Sequence, residues 1–203
     1  MKKIIDEYFI YNYDELTEKA KEKAREKLCD IFRDTDSFSE MVRENYNDIF
    51  ENSDLELQYS LSSCQGDGLN IYGSFYLLDC INYVLEKAPD QFTEKEKRFL
   101  TFLSNEFLTV KTKYNNFYCY YTDKTEDFQD EIENDLERQY FRNIPYKTIE
   151  KFSKCFNDLF RKYCMEWEKS GYDYFYEYTD QDAIDDSSAN EILFYENGEI
   201  YRG

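Results

Sequence analysis

Four consecutive residues, Gln65, Gly66, Asp67 and Gly68, form the local pattern most suited to chemistry in this chain. Two glycines flanking an aspartate permit positive φ on both sides and aim the Asp67 carboxylate outward. Such a loop can offer backbone N–H groups and a carboxylate to a partner, a metal or a phosphate. A bulged hairpin turn that needs glycine only for its shape produces the same pattern. Carboxylates are the second resource. Glu126, Asp127, Asp130, Glu133 and Glu137 lie along one dense stretch and Asp180, Asp182, Asp185 and Asp186 along another. Either ridge can dock on a cationic surface or simply keep an aromatic-rich chain solvated. A third chemistry is metal-dependent phosphodiester cleavage, for which Asp and Glu alone can hold Mg²⁺. Its candidate set is Asp67 with Glu56 and Asp79.

Composition narrows these options. The chain has 203 residues, 44 Asp and Glu against 25 Lys and Arg, a formal net charge of −19, and no histidine. The missing imidazole removes Ser-His-Asp triads, Cys-His dyads, His-ligated zinc and histidine acid–base chemistry. The sign of the charge argues against stable nucleic-acid binding by the chain alone and in favour of a basic partner protein. The 21 tyrosines and 17 phenylalanines argue against wholesale disorder. The six cysteines, at 29, 64, 80, 119, 155 and 164, match no zinc module, so we expect reduced and mostly buried thiols. No apolar stretch is long enough for a bilayer, and charge arrives too early for a signal peptide. These features predict a cytoplasmic protein that touches no membrane, and they leave its oligomeric state open.

The elements that must position these residues follow from periodicity. Ile4 to Ile10 reads as an opening strand within residues 3–12. Asp14 offers an N-cap to a helix whose apolar face is Leu16, Ala20, Ala24, Leu28 and Phe32. Its other face carries Lys19, Lys21, Lys23, Arg25 and Lys27, read as the only concentrated positive charge in the chain. A second helix spans about Ser37 to Phe50. Leu55, Leu57, Tyr59 and Leu61 then alternate with polar residues, as do Leu69, Ile71, Gly73 and Phe75, which predicts a hairpin turning at 64–68. Helices are predicted from Leu77 to Ala88 and after the Thr93–Glu96 capping box, where Phe99, Leu100, Leu103 and Phe107 face the core. A second hairpin is predicted over 108–113 and 117–122.

Phe128, Ile132, Leu136 and Tyr140 give the stripe of a further helix, and Ile149 to Trp167 give the strongest helical period of all. The run from Tyr172 to Tyr178 fits a helix or a strand; as a strand, one face would be all tyrosine, suited to a protein interface, base stacking or core packing. Residues 180–186 read as a loop or short helix, and Asn197-Gly198 as a two-residue turn. The whole predicts an α+β fold, an antiparallel sheet with several helices packed on it. It forms one domain or two closely packed subdomains, 1–122 with the 55–77 hairpin and 123–203 with the C-terminal hairpin.

The segment Leu57-Gln-Tyr-Ser-Leu-Ser-Ser-Cys-Gln-Gly-Asp-Gly68, with Tyr13-Asp-Glu-Leu16 opening the first helix, resembles a family of small acidic proteins. Phages, prophages and plasmids encode them. Members typically carry a strand ending in Ser-Gln-Gly-Asp-Gly, are often labelled antitoxin-like, and include proteins resembling type II anti-CRISPR inhibitors of Cas9 or its guide RNA. Gln65, Gly66, Asp67 and Gly68 match the pattern; Cys64 stands where serine is usual, and Leu69 and Asn70 where aromatic or small residues commonly follow. The likeness covers about the first 80 residues. It implies a mobile-element inhibitor of a host defence nuclease, most plausibly a Cas9-type effector. That inhibitor would be a non-catalytic nucleic-acid mimic without a cofactor, working through residues 65–68 and the two acidic ridges. The alternatives are a Mg²⁺-dependent ribonuclease that truncates guide RNA and an antitoxin-like neutralising module.

Overall fold

The computed structural model describes residues 9–62, 65–104, 108–112, 120–139 and 144–202. Chain order is β1 (Ile10–Tyr11), α1 (Glu18–Phe32), α2 (Thr35–Ile49), β2 (Asp54–Ser60), β3 (Gly68–Tyr76), α3 (Leu77–Lys87), α4 (Glu94–Leu103) and β4 (Thr109–Lys111). It continues with α5 (Thr125–Arg138), α6 (Tyr146–Tyr176), α7 (Asp180–Ala189) and β5 (Phe194–Tyr195). The fold is α+β with antiparallel sheets. Two compact units are present: unit 1 is Met1–Phe38 with Gly171–Gly203, and unit 2 is Ser39–Ser170.

In unit 1 the stripe repeating every fourth residue forms as predicted. Ala20, Ala24 and Leu28 of α1 are buried with Tyr13, Leu16, Ala183 and Phe194. The helix starts later than Asp14, however. Asn12 and Glu15 bond reciprocally and close a 3₁₀ turn at Tyr13–Glu15, and Thr17 caps α1 by accepting the Ala20 N–H at 3.4 Å. Strand β5 pairs antiparallel with β1, Ile10 opposite Tyr195 and Tyr11 opposite Phe194. The predicted Asn197-Gly198 turn follows, with Gly198 at φ +79°. A Cβ there would lie 2.2 Å from the Ala20 carbonyl oxygen, so the turn sits directly on the α1 backbone. The rest of the predicted opening strand, residues 3–8, lies outside the described residues.

The tyrosine run is helical through Tyr176, which removes the all-tyrosine strand face. Gly171 costs helix propensity, about 1 kcal/mol against Ala, and packing offsets it. Phe175 stacks edge-on against Phe38 at 5.2 Å, and Tyr174 Oη donates to the Phe32 carbonyl at 2.9 Å. Tyr172 and Tyr176 stack on one side of α6 with centroids 6.1 Å apart. The acidic segment 180–186 is a full helix, α7, capped by Thr179 and Asp182.

In unit 2 the predicted hairpin is present, β2 pairing with β3 from Asp54↔Ser74 to Ser60↔Gly68. Strand β4 pairs on the other side of β3, giving the order β2-β3-β4. The first arm of the predicted second hairpin is therefore an edge strand of this sheet. Of its second arm, residues 120–122 are not strand, and 117–119 lie outside the described residues, as do Phe107 and Tyr140. Phe50, Phe75, Phe128, Phe156 and Phe160 make a continuous aromatic core, with centroid spacings from 4.4 Å for Phe128–Phe156 to 6.4 Å for Phe50–Phe156. Edge-to-face packing adds about 0.5–1.5 kcal/mol per pair beyond burial. Cys80, Cys155 and Cys164 are buried and Cys29 is half-buried, all as free thiols.

Candidate functional site

The 65–68 turn closes the β2–β3 hairpin with Gly66 at φ +112° and Gly68 at φ +153°, so the two glycines serve the conformation expected of them. Asp67 does not point outward. It is 9% exposed, and its Oδ1 accepts from Ser60 Oγ at 2.8 Å and Ser62 Oγ at 3.2 Å. Ser60 ends β2 and Ser62 lies two residues beyond it, so the carboxylate folds back onto its own hairpin. The Gly66 N–H donates to Tyr120 Oη at 2.9 Å, which fastens the turn to the segment before α5. Gln65 is exposed. Burial and the Asp67 charge raise the Glu168 carboxyl above its ordinary range.

Glu56, Asp67 and Asp79 do not converge. Glu56 lies opposite Tyr72 in the sheet and accepts its hydroxyl at 2.8 Å. Four residues of strand, about 13 Å, separate it from Ser60, the partner of Asp67. Asp79 is buried in α3, where it accepts from the Asn52 N–H at 3.0 Å, Asn52 Nδ2 at 2.9 Å and Ser53 Oγ at 3.0 Å. It holds the turn before β2. Among the described residues, no group of three or more His, Cys, Asp or Glu is placed to hold a metal ion.

The two acidic ridges have different fates. In unit 1, Asp180 accepts from Arg25 Nη1 at 2.9 Å and Tyr13 Oη at 2.7 Å, Asp182 faces Arg33 at 3.4 Å, and Asp186 accepts from Tyr178 Oη at 2.8 Å. Asp185 accepts from Gln181 Nε2 at 2.9 Å. Near the C-terminus Glu199 pairs with both Lys23 and Lys27, which hold its carboxyl down at about 2. Three cations of the α1 basic face are thus matched, Arg25 by Asp180 and Lys23 and Lys27 by Glu199, and two carboxylates of the 180–186 ridge, Asp180 and Asp182, are matched by Arg25 and Arg33. Arg33 also lies over the rings of Tyr174 and Tyr178, 4.9 and 5.1 Å from their centroids.

Helix α5 is the exception. Phe128, Ile132 and Leu136 bury one stripe, and the remaining arc carries Glu126, Asp127, Asp130, Glu131, Glu133, Asp135 and Glu137 against a single Arg138. Among the described residues, no Lys or Arg pairs with Glu126, Asp130, Glu131, Glu133, Asp135 or Glu137. At the start of the helix, Asp123, Glu126, Asp127 and Asp158 line a groove of about 620 Å³ with Lys154 and Asn157.

Two cationic features escaped sequence reasoning. Lys124 is fully buried. Its Nζ donates to Asn70 Oδ1 at 3.2 Å and the Thr122 carbonyl at 3.0 Å, and sits 4.1 Å from the Tyr121 ring centroid. Burial lowers its pKa to about 8. A lysine between an aspartate and a threonine in sequence gives no sign of this. The other is a row on α6, Lys147, Lys151, Lys154, Arg161, Lys162 and Lys169, which helical spacing could have found. Compared with protein-family models, curated proteins and solved structures, the chain matches none of them. No helix among the described residues is long and apolar enough to cross a membrane.

Proposed function

We propose that this chain is a non-catalytic acidic inhibitor that docks α5 on a cationic nucleic-acid channel of a partner protein and competes there with guide or target strand. The observation that carries this reading is the unmatched charge of α5, beside an α1 whose Lys23, Arg25 and Lys27 are paired with Glu199 and Asp180. A helix of carboxylates on a packed aromatic core is a fixed array. A fixed array sets association rate and register through complementary potential. The resemblance carried by Gln65 to Gly68 makes a Cas9-type RNA-guided nuclease the first partner to test, since such effectors hold their heteroduplex in a positive channel. Within that docking the turn is a structural closure of the hairpin.

The test compares the wild type with Glu126→Gln/Asp130→Asn/Glu133→Gln/Glu137→Gln in an RNA-guided cleavage assay and in direct binding across a salt series. Steered association gains about 10- to 1,000-fold at low salt, so the variant should associate at least tenfold more slowly and its salt dependence should flatten. Inhibition unchanged in the variant would refute the reading. Guide-RNA shortening that a chelator abolishes would do the same, in favour of a nuclease.

A further inference from the structure

Lys147, Lys151, Lys154, Arg161, Lys162 and Lys169 recur along α6 so that, at about 100° per residue, all fall within an arc of roughly 100°. The row runs for 22 residues of helix, about 33 Å, all within unit 2. All but half-buried Lys151 are exposed. Asp158 is the one carboxylate inside the arc, and Met165 stands in the middle of it, 56% exposed. Between Lys147 and Lys162 the row borders a groove of about 580 Å³ that Gln91, Glu150, Cys155, Asp158 and Leu159 also line. In a chain of net charge −19 this concentration is anomalous.

Its members are also available. Lys147, Arg161 and Lys169 have no ion-pair partner among the described residues. Lys154 pairs with Glu150 at 2.6 Å and Lys162 with Glu166 at 3.8 Å, both one helical turn apart and exposed. Exposed pairs of this kind hold about 0–1 kcal/mol, so either lysine can exchange its glutamate for a phosphate at little cost. Only Lys151 is committed, to Glu96 at 3.1 Å with the Phe92 ring 5.0 Å away.

We infer that the α6 row is a binding surface for the phosphodiester backbone of a nucleic-acid strand. A linear row of cations matches a linear row of anions. At about 3.4 Å per phosphate along one strand, 33 Å of helix faces roughly ten phosphates, and five exposed cations can each meet one. The contact carries no base-reading geometry, so it is independent of sequence. It is weak in isolation because the rest of the molecule repels the strand. At about 0.1 M salt the Debye length is about 10 Å, which screens the distant carboxylates while leaving contact pairs intact. The surface goes beyond the proposed docking of α5 and does not depend on it.

The experiment is amide chemical-shift mapping of the full chain at about 0.1 M salt, titrated separately with a mixed-sequence single-stranded RNA and with duplex DNA. The result expected is saturable shifts confined to residues 147–169, at a Kd of about 10⁻⁴ M or tighter, the usual non-specific range. The arm that binds more tightly identifies the source of the strand. Lys147→Glu/Arg161→Glu/Lys169→Glu should weaken binding at least tenfold, whereas Lys19→Glu/Lys111→Glu/Arg202→Glu, with the same total charge, should not. If the first variant loses its dispersed spectrum, Lys147→Gln/Arg161→Gln/Lys169→Gln takes its place. No shifts at millimolar strand, shifts centred elsewhere, or equal loss in both charge-reversed variants would overturn the inference. So would the same shifts from polyglutamate, which would make the surface a site for acidic proteins. None of these measurements involves the partner of α5, so failure here leaves that docking standing, and the converse also holds.

Discussion

Replacing Lys124 with Met removes a buried amine and keeps an unbranched apolar stem that ends one atom short of Nζ. Lys124 is fully buried, and its pKa falls from 10.5 to about 8, chiefly through burial. The groups facing it are Asp123, Asp127, Cys164, Tyr121 and Phe160. A folded-state pKa below the unfolded one means that the unfolded chain binds the proton more tightly. Stability from this group is therefore full above about 10.5, rises with pH through the interval from about 8 to 10.5, and is absent below about 8. At 1.36 kcal/mol per pKa unit the interval corresponds to about 3 kcal/mol. Other groups work in the opposite direction. Burial pushes Cys164 and Tyr83 up to about 12, so both favour unfolding as pH rises past their ordinary values of 9.0 and 10.0. Tyr83 is common to both proteins and cancels in the difference; Cys164 is coupled to Lys124, so both proteins also carry Cys164→Ala in the comparison. Urea unfolding followed by far-UV circular dichroism at constant ionic strength, from about pH 7 to pH 10, supplies that difference. The stability of the Cys164→Ala protein minus that of Cys164→Ala/Lys124→Met should climb by about 2–3 kcal/mol across the range. A difference constant to within about 0.5 kcal/mol would refute the reasoning, because the ammonium would then be solvated or matched by a carboxylate.

Three further outcomes follow from the packing. Gly198→Ala forces a Cβ to within 2.2 Å of the Ala20 carbonyl oxygen at φ +79°; it should destabilise by about 2 kcal/mol or more, read as a lowered thermal midpoint. Asp79→Ala strands the Asn52 N–H and the Ser53 hydroxyl, costing about 2–4 kcal/mol in urea unfolding, and a cost below about 0.5 kcal/mol would contradict its structural role. Asp67→Ala should lower stability by about 1–3 kcal/mol, since two serine hydroxyls lose their acceptor. Its docking to the partner of α5, measured well below the melting point, should be unchanged; intact stability with docking lost would make the turn a contact surface.

Local signals were the legible part of this fold. The period-two runs around residues 55–75 became β2 and β3, and the Thr93–Glu96 capping box opened α4, because both depend on residues within a few positions of each other. Signals that depend on distant partners were not legible. The basic face of α1 reads as free charge until Asp180 and Glu199, more than 150 residues away, are found against it. Asp67 reads as outward from its glycines alone; the serines that turn it inward matter only once register places them beside it. The run from Tyr172 to Tyr178 reads as helix or strand alike, and Phe175 packing on Phe38 settles it as helix through Tyr176. On α6 attention to the apolar stripe from Ile149 to Trp167 hid a polar period in the same residues. Lys147, Lys154 and Arg161 lie at intervals of seven, and Lys169 follows eight residues later.

The burial of α1 also bears on how the chain matures on the ribosome. Ala20, Ala24 and Leu28 emerge early, but the residues that cover them, Ala183 and Phe194, are encoded about 160 positions later. At about 5–20 residues per second, the nascent helix waits roughly 10–30 s with its greasy side bare. Unit 2, continuous from Ser39 to Ser170, is fully synthesised before Ala183 is added. Until then, among the described residues, the α1 stripe has only Tyr13 and Leu16 of its fully buried neighbours.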